Sequence, residues 1–84
     1  MNWDVTEVQV LEDFSLVVRF RDGLEGVVRF LPSFFRGVFS HLSSIPEFRK
    51  AHVVDGVVTW PGELDLAPDA MYDEIKRCGV WMLS

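Results

Sequence analysis

Few residues in this 84-residue chain are suited to chemistry. His41, His52 and Cys78 are the only soft metal-ligand side chains, and no two of them stand at a short ligand spacing such as C-x-x-C or H-x-x-x-H. The sequence therefore predicts neither a metal site nor a cofactor. "RDG" and "PGELD" lack the repeated glycines and the lysine of a phosphate cradle. Ser40, His41 and Asp55 supply the residue types of a hydrolytic triad, but residue types alone define no geometry. Glu63 and Asp65 remain, a pair of carboxylates close to Trp60 in "WPGELDLAP". An apolar ring that keeps one acid protonated while the other stays ionised is what general acid-base catalysis requires. The competing reading is architectural. Asp65 accepts hydrogen bonds from the first amides of the following helix, and Trp60 closes the end of the core with its indole N–H on a carbonyl or water. Both readings bury Trp60, and only the catalytic one needs an open cleft beside it. The balance favours a protein that is not an enzyme.

The elements that must position these residues start with alternation. In "FSLVVRF", Phe14, Leu16, Val18 and Phe20 share one strand face while Ser15, Val17 and Arg19 share the other. A two-residue Asp22-Gly23 loop would set Arg29 opposite Leu16 on the core face. A three-residue loop, Arg21-Asp22-Gly23 with Gly23 left-handed, pairs Phe20 with Leu24, Leu16 with Val28, Phe14 with Phe30 and Arg19 with Glu25, and is the register expected. Upstream, Thr6, Val8 and Val10 alternate with Glu7 and Gln9, and Glu12-Asp13 turns into Phe14. "AHVVDGVVTW" is a second hairpin about Asp55-Gly56.

Helical spacing follows Pro32. Ser33 is a candidate cap, and Phe35, Val38, Phe39 and Leu42 fall on one helical face that Gly37 weakens without breaking. Ser44 and Glu47 have the spacing of a capping box, with Pro46 in the first turn of a short helix. A last helix starts at Pro68, buries Met71, Ile75 and Cys78 with Tyr72 beside them, and stops at Gly79. The apolar tail "VWMLS" must then pack on its own sheet, swap onto a neighbour, or meet a partner. The expected fold is α+β: a small antiparallel sheet, a three-stranded meander plus the second hairpin, with two main helices packed on it, in one domain spanning residues 1–84.

Composition restricts the function classes. At 49% hydrophobic and 13% aromatic residues the chain is too apolar for disorder. Its size limits how much of that surface it buries alone, so a homodimer or a bound partner is expected. Eight basic against thirteen acidic residues, net charge −5, disfavour nucleic acid and favour a small basic partner protein. Cys78 has no second cysteine to pair with, and no apolar run approaches the roughly 20 residues of a bilayer span, so the expectation is a cytoplasmic protein with no membrane association.

"DFSLVVRFRDG", "FLPSFFRGVFSHL", "PEFRKAHV" and "VVTWPGELDLAPDAMY" together resemble the bacterial family catalogued as domain of unknown function 2442, from about Val5 to Tyr72. The most specific match is Trp60, Pro61, Asp65, Leu66, Ala67 and Pro68, supported by Phe20, Asp22 and Gly23; the family pattern places Asn-Gly after Trp-Pro, where this chain has Gly62-Glu63. The resemblance implies a compact α+β domain with no established activity. Members stand alone or are fused to a helix-turn-helix domain absent here, and their genes pair in a toxin-antitoxin-like manner. These observations together point to a non-enzymatic protein-protein interaction module, antitoxin-like, with Trp60, Pro61, Asp65, Pro68 and Trp81 as the candidate motif or interaction residues. The alternative is a small-ligand-binding or enzymatic domain centred on Trp60 and Asp65.

Overall fold

The computed structural model describes residues 3–11, 13–62 and 64–84. Strands β1 (Val5–Leu11), β2 (Ser15–Phe20) and β3 (Glu25–Phe30) pair antiparallel in chain order. Between β2 and β3 the register is the one the hydrophobic alternation selects, with Leu16 opposite Val28 and Arg19 opposite Glu25. Gly23 sits at φ +91, a conformation that costs a Cβ-free residue little, and the Asp22 carboxylate accepts the Leu24 N–H at 3.0 Å. Glu12, assigned to the preceding turn, lies outside the described residues.

Two expectations about this sheet are corrected. Thr6 does not share the face of Val8 and Val10. The register slips between Val5 and Glu7, a bulge that returns Val5 to the core at 2% exposure and turns Thr6 outward, its hydroxyl donating to the Arg19 carbonyl at 3.2 Å. The sheet is also mixed rather than antiparallel. The tail forms β7 (Val80–Leu83), which runs parallel to β3 with Val27 beside Val80 and Phe30 beside Leu83, giving the order β1-β2-β3-β7.

The second hairpin does not join this sheet as expected but forms a separate, second sheet of β4 (His52–Val54), β5 (Val57–Trp60) and β6 (Leu64–Asp65). Asp55 and Gly56 both take positive φ, 51 and 79, the turn whose twist matches a two-residue hairpin. The helix expected after Pro32 is instead two 3-10 segments, Pro32–Phe34 and Gly37–Ser43. At their junction Arg36 is extended and Gly37, the first residue of the second segment, stands at φ +59, which a right-handed helix cannot continue through. Phe34 and Phe39 meet ring to ring at 4.8 Å, and Leu42 is fully buried, so the apolar spacing serves packing without an α-helix. The Val38 side chain lies outside the described residues.

Helix α1 (Ile45–Phe48) has Ser44 at its N-cap, but the Ser44 side chain makes no capping hydrogen bond. Helix α2 (Pro68–Cys78) begins at the expected proline and ends at Gly79, φ +84, whose N–H returns to the Ile75 carbonyl at 2.7 Å. Met71 and Ile75 are its buried residues, whereas Cys78 is exposed. Gly26 admits the helix: a Cβ there would stand 2.3 Å from Ile75 Cγ2. One cluster forms the core of both sheets, joining Leu16, Val18 and Phe20 to Val58, Trp60 and Phe48. None of the described helices is long and apolar enough to cross a membrane.

Candidate functional site

The corner from Trp60 to Pro68 is built inward. Trp60 ends β5 at 1% exposure, its ring centroid 6.0 Å from those of both Phe30 and Phe48. Its indole N–H donates to the Phe48 carbonyl at 2.9 Å, the partner a buried tryptophan requires. Pro61 and Gly62 turn the chain on the surface, with Gly62 at φ +98. Glu63, one half of the proposed carboxylate pair, lies outside the described residues. Asp65 is exposed on β6 opposite Thr59; the N-cap of α2 is Ala67, and the first-turn Ala70 N–H is taken by Asp69 at 2.9 Å, so Asp65 does not hold the helix as expected. The Thr59 hydroxyl donates to the Leu64 carbonyl at 2.6 Å, and Leu66 N–H reaches the Val58 carbonyl, so backbone pairing sets this corner. Pro68 occupies the first turn of α2. Neither of two surface cavities borders Trp60 or Asp65.

The larger cavity, about 250 Å³, is lined by Phe14, Phe30, Pro32, Phe35 and Ser43. Its lone hydroxyl, on Ser43, donates to the Ser40 carbonyl at 2.9 Å, so the cleft has no free directing group of its own among these residues. A polar cluster lies elsewhere: the Tyr72 hydroxyl donates to the Asp22 carboxylate, and Lys76 Nζ stands 5.7 Å from the Tyr72 ring centroid. The shared hydrogen bond is the main cause that lowers the Asp22 carboxyl below its ordinary value and raises the Tyr72 hydroxyl above its own. Both groups are on the surface, so this ties α2 to the β2–β3 loop and sets up no buried reactive acid. Among the described residues no group of three His, Cys, Asp or Glu is arranged to hold a metal ion.

The feature that sequence reasoning did not single out is the far face of the four-stranded sheet. The core face takes α2 and the second sheet. The far face carries three rows that the registers align across the strands. Glu7, Arg19 and Glu25 form one row; Gln9, Val17, Val27 and Val80 the next; Leu11, Ser15, Arg29 and Met82 the third. Leu11, Val17, Val27 and Val80 are half-buried yet stand outside the core cluster, and Met82 is 52% exposed. A depression of about 100 Å³ opens there between Glu7, Gln9, Val17, Arg19 and Glu25. Trp81 is on the other side, beside Val28 and packed against the core. Alternation had already assigned Val17 to the side away from the core. The missing signal was β7, whose pairing extends one outward valine into a row.

No curated protein and no solved structure matches the chain. The profile of the protein family of unknown function DUF2442 matches residues 5–77, and the chain belongs to that family.

Proposed function

We propose that this DUF2442 member is a non-enzymatic interaction module that docks another protein chain on the far face of its four-stranded sheet. The observation that carries the reading is the row Val17, Val27 and Val80, apolar and outside the core, with Met82 and Leu11 beside it. Ser15 in the third row is already buried at 2%, but the half-buried valines and exposed Met82 still gain free energy when a partner removes their remaining apolar surface from water, at about 25 cal/mol per Å². The partner is a second copy or a small basic protein, drawn in the latter case by the net charge of −5. The antitoxin-like role is the form this takes if the partner is a toxin, and a cytoplasmic setting suits the exposed, unpaired thiol of Cys78. The Trp60 to Pro68 corner serves the module by fixing β5 and β6 to α2.

The test compares wild-type protein with Val27→Lys, purified at native level under mild conditions and examined by native mass spectrometry. The reading expects a stoichiometric protein partner, copy or stranger, with the wild type, and its loss from the variant at an unchanged melting temperature. A partner retained equally by the variant, or no protein partner at all, overturns it.

A further inference from the structure

We infer that the occupant of the far sheet face is a second copy of this chain, packed about a two-fold axis that passes over Val17. This rests on reading that face as a docking surface, and the charges choose the occupant. The face holds Glu7, Arg19, Glu25 and Arg29 and is neutral, so the chain's surplus of negative charge lies elsewhere. A basic partner is therefore drawn to other surfaces, whereas two copies that repel each other elsewhere meet without repulsion here.

The arrangement of those four charges is also self-complementary. Arg19 and Glu25 satisfy each other at 3.0 Å. Glu7 and Arg29 make no ion pair among the described residues. Two strand spacings and four residues separate them, roughly 16 Å, too far to meet within one copy. On the register grid Glu7 lies on β1 in the first row, Arg29 on β3 in the third, and Val17 on β2 midway between them. A two-fold axis in the contact plane over Val17, perpendicular to the line from Glu7 to Arg29, therefore exchanges the two positions. Glu7 of each copy meets Arg29 of the other, Val17 faces its counterpart, and the depression beside Val17 receives a facing side chain. A face of four strands by about five residues buries on the order of 500 Å² per copy, the low end for a specific interface, so the dimer is in the micromolar range.

Sedimentation of the full chain over a range of concentrations tests this. The wild type should pass from monomer to dimer with a micromolar midpoint. Val17→Lys should remain monomeric with its melting temperature unchanged. Glu7→Arg and Arg29→Glu should each weaken self-association about tenfold. Each places like charges across the axis, so an equimolar mixture of the two single variants should form a heterodimer, and the double variant should recover wild-type affinity. A wild type that stays monomeric at near-millimolar concentration overturns the inference, as does a dimer untouched by Val17→Lys or by the charge reversals. If the wild type is monomeric but Val17→Lys releases a different bound protein, the second copy is excluded and the docking face stands; if no protein is bound at all, both fall.

Discussion

Replacing Trp60 by Phe separates a structural corner from a contact site. Phe keeps the ring against Phe30 and Phe48 but deletes the pyrrole edge and the N–H that reaches the Phe48 carbonyl. The lost apolar edge is equivalent to about two methylenes, roughly 1.6 kcal/mol, before any cavity cost. The Phe48 carbonyl keeps the Ala51 N–H at 3.3 Å, a long hydrogen bond, so its partial orphaning belongs at the low end, about 1 kcal/mol. The sum, about 3 kcal/mol, is a large share of the roughly 4–13 kcal/mol expected for a chain of this length. It lowers the unfolding midpoint by roughly 12–24 °C. Thermal and urea unfolding followed by circular dichroism measure the loss, and sedimentation well below the new midpoint measures association. The expected result is a large fall in stability with association of the folded molecules retained. A midpoint within about 2 °C of wild type would refute the packing argument, and loss of association at full stability would make Trp60 a contact residue.

Gly26→Ala should cost about 1–2 kcal/mol, because overpacking against Ile75 Cγ2 at 2.3 Å and the Gly79 carbonyl at 2.9 Å outweighs the lower entropy of the unfolded alanine chain. Thermal unfolding should show a fall of roughly 5–15 °C, and an equal or raised midpoint would mean that α2 does not lie against β3 as described. The Tyr72–Asp22 hydrogen bond makes stability pH-dependent at both ends. Asp22 is depressed below 3.8, so its contribution is present above that pH and lost as pH falls through the lowered value; Tyr72 is raised above 10.0, so its contribution is present below that pH and lost as pH rises through the raised value. Melting curves of wild type and Tyr72→Phe should therefore differ by a steady small margin at intermediate pH and converge at both extremes, and a margin that persists in strong acid would contradict the assignment.

Legibility in the sequence followed how local each signal is. The β2–β3 register could be read because a slip by one residue would put Arg29 on the core face, and the Asp55-Gly56 hairpin because both central residues tolerate positive φ. Pro68 and Gly79 marked α2 correctly for the same kind of local reason. The segment from Ser33 to Leu42 misled because aromatic rings at helical spacing pack equally well from 3-10 turns, and Gly37 adopted a conformation that spacing does not reveal. Asp65 and Ser44 have capping residue types, but neither side chain caps a helix, since capping depends on side-chain orientation. The far sheet face was invisible for a different reason: its central row depends on which strand β7 joins and in which direction, a long-range choice.

That long-range choice affects the order of events during folding. β1, β2 and β3 are joined by short turns and pair within microseconds, whereas β7 must close a loop over β4, β5, β6 and α2 before it reaches β3. Until it arrives, β3 presents bare N–H and C=O groups to any passing strand, the stage at which aggregation competes with completion. Val80 and Met82 arrive with the same strand, so a partly folded chain lacks the finished far face and could not enter the proposed assembly. A dimer of the proposed kind would therefore proofread the fold: only molecules that have closed the sheet would be admitted.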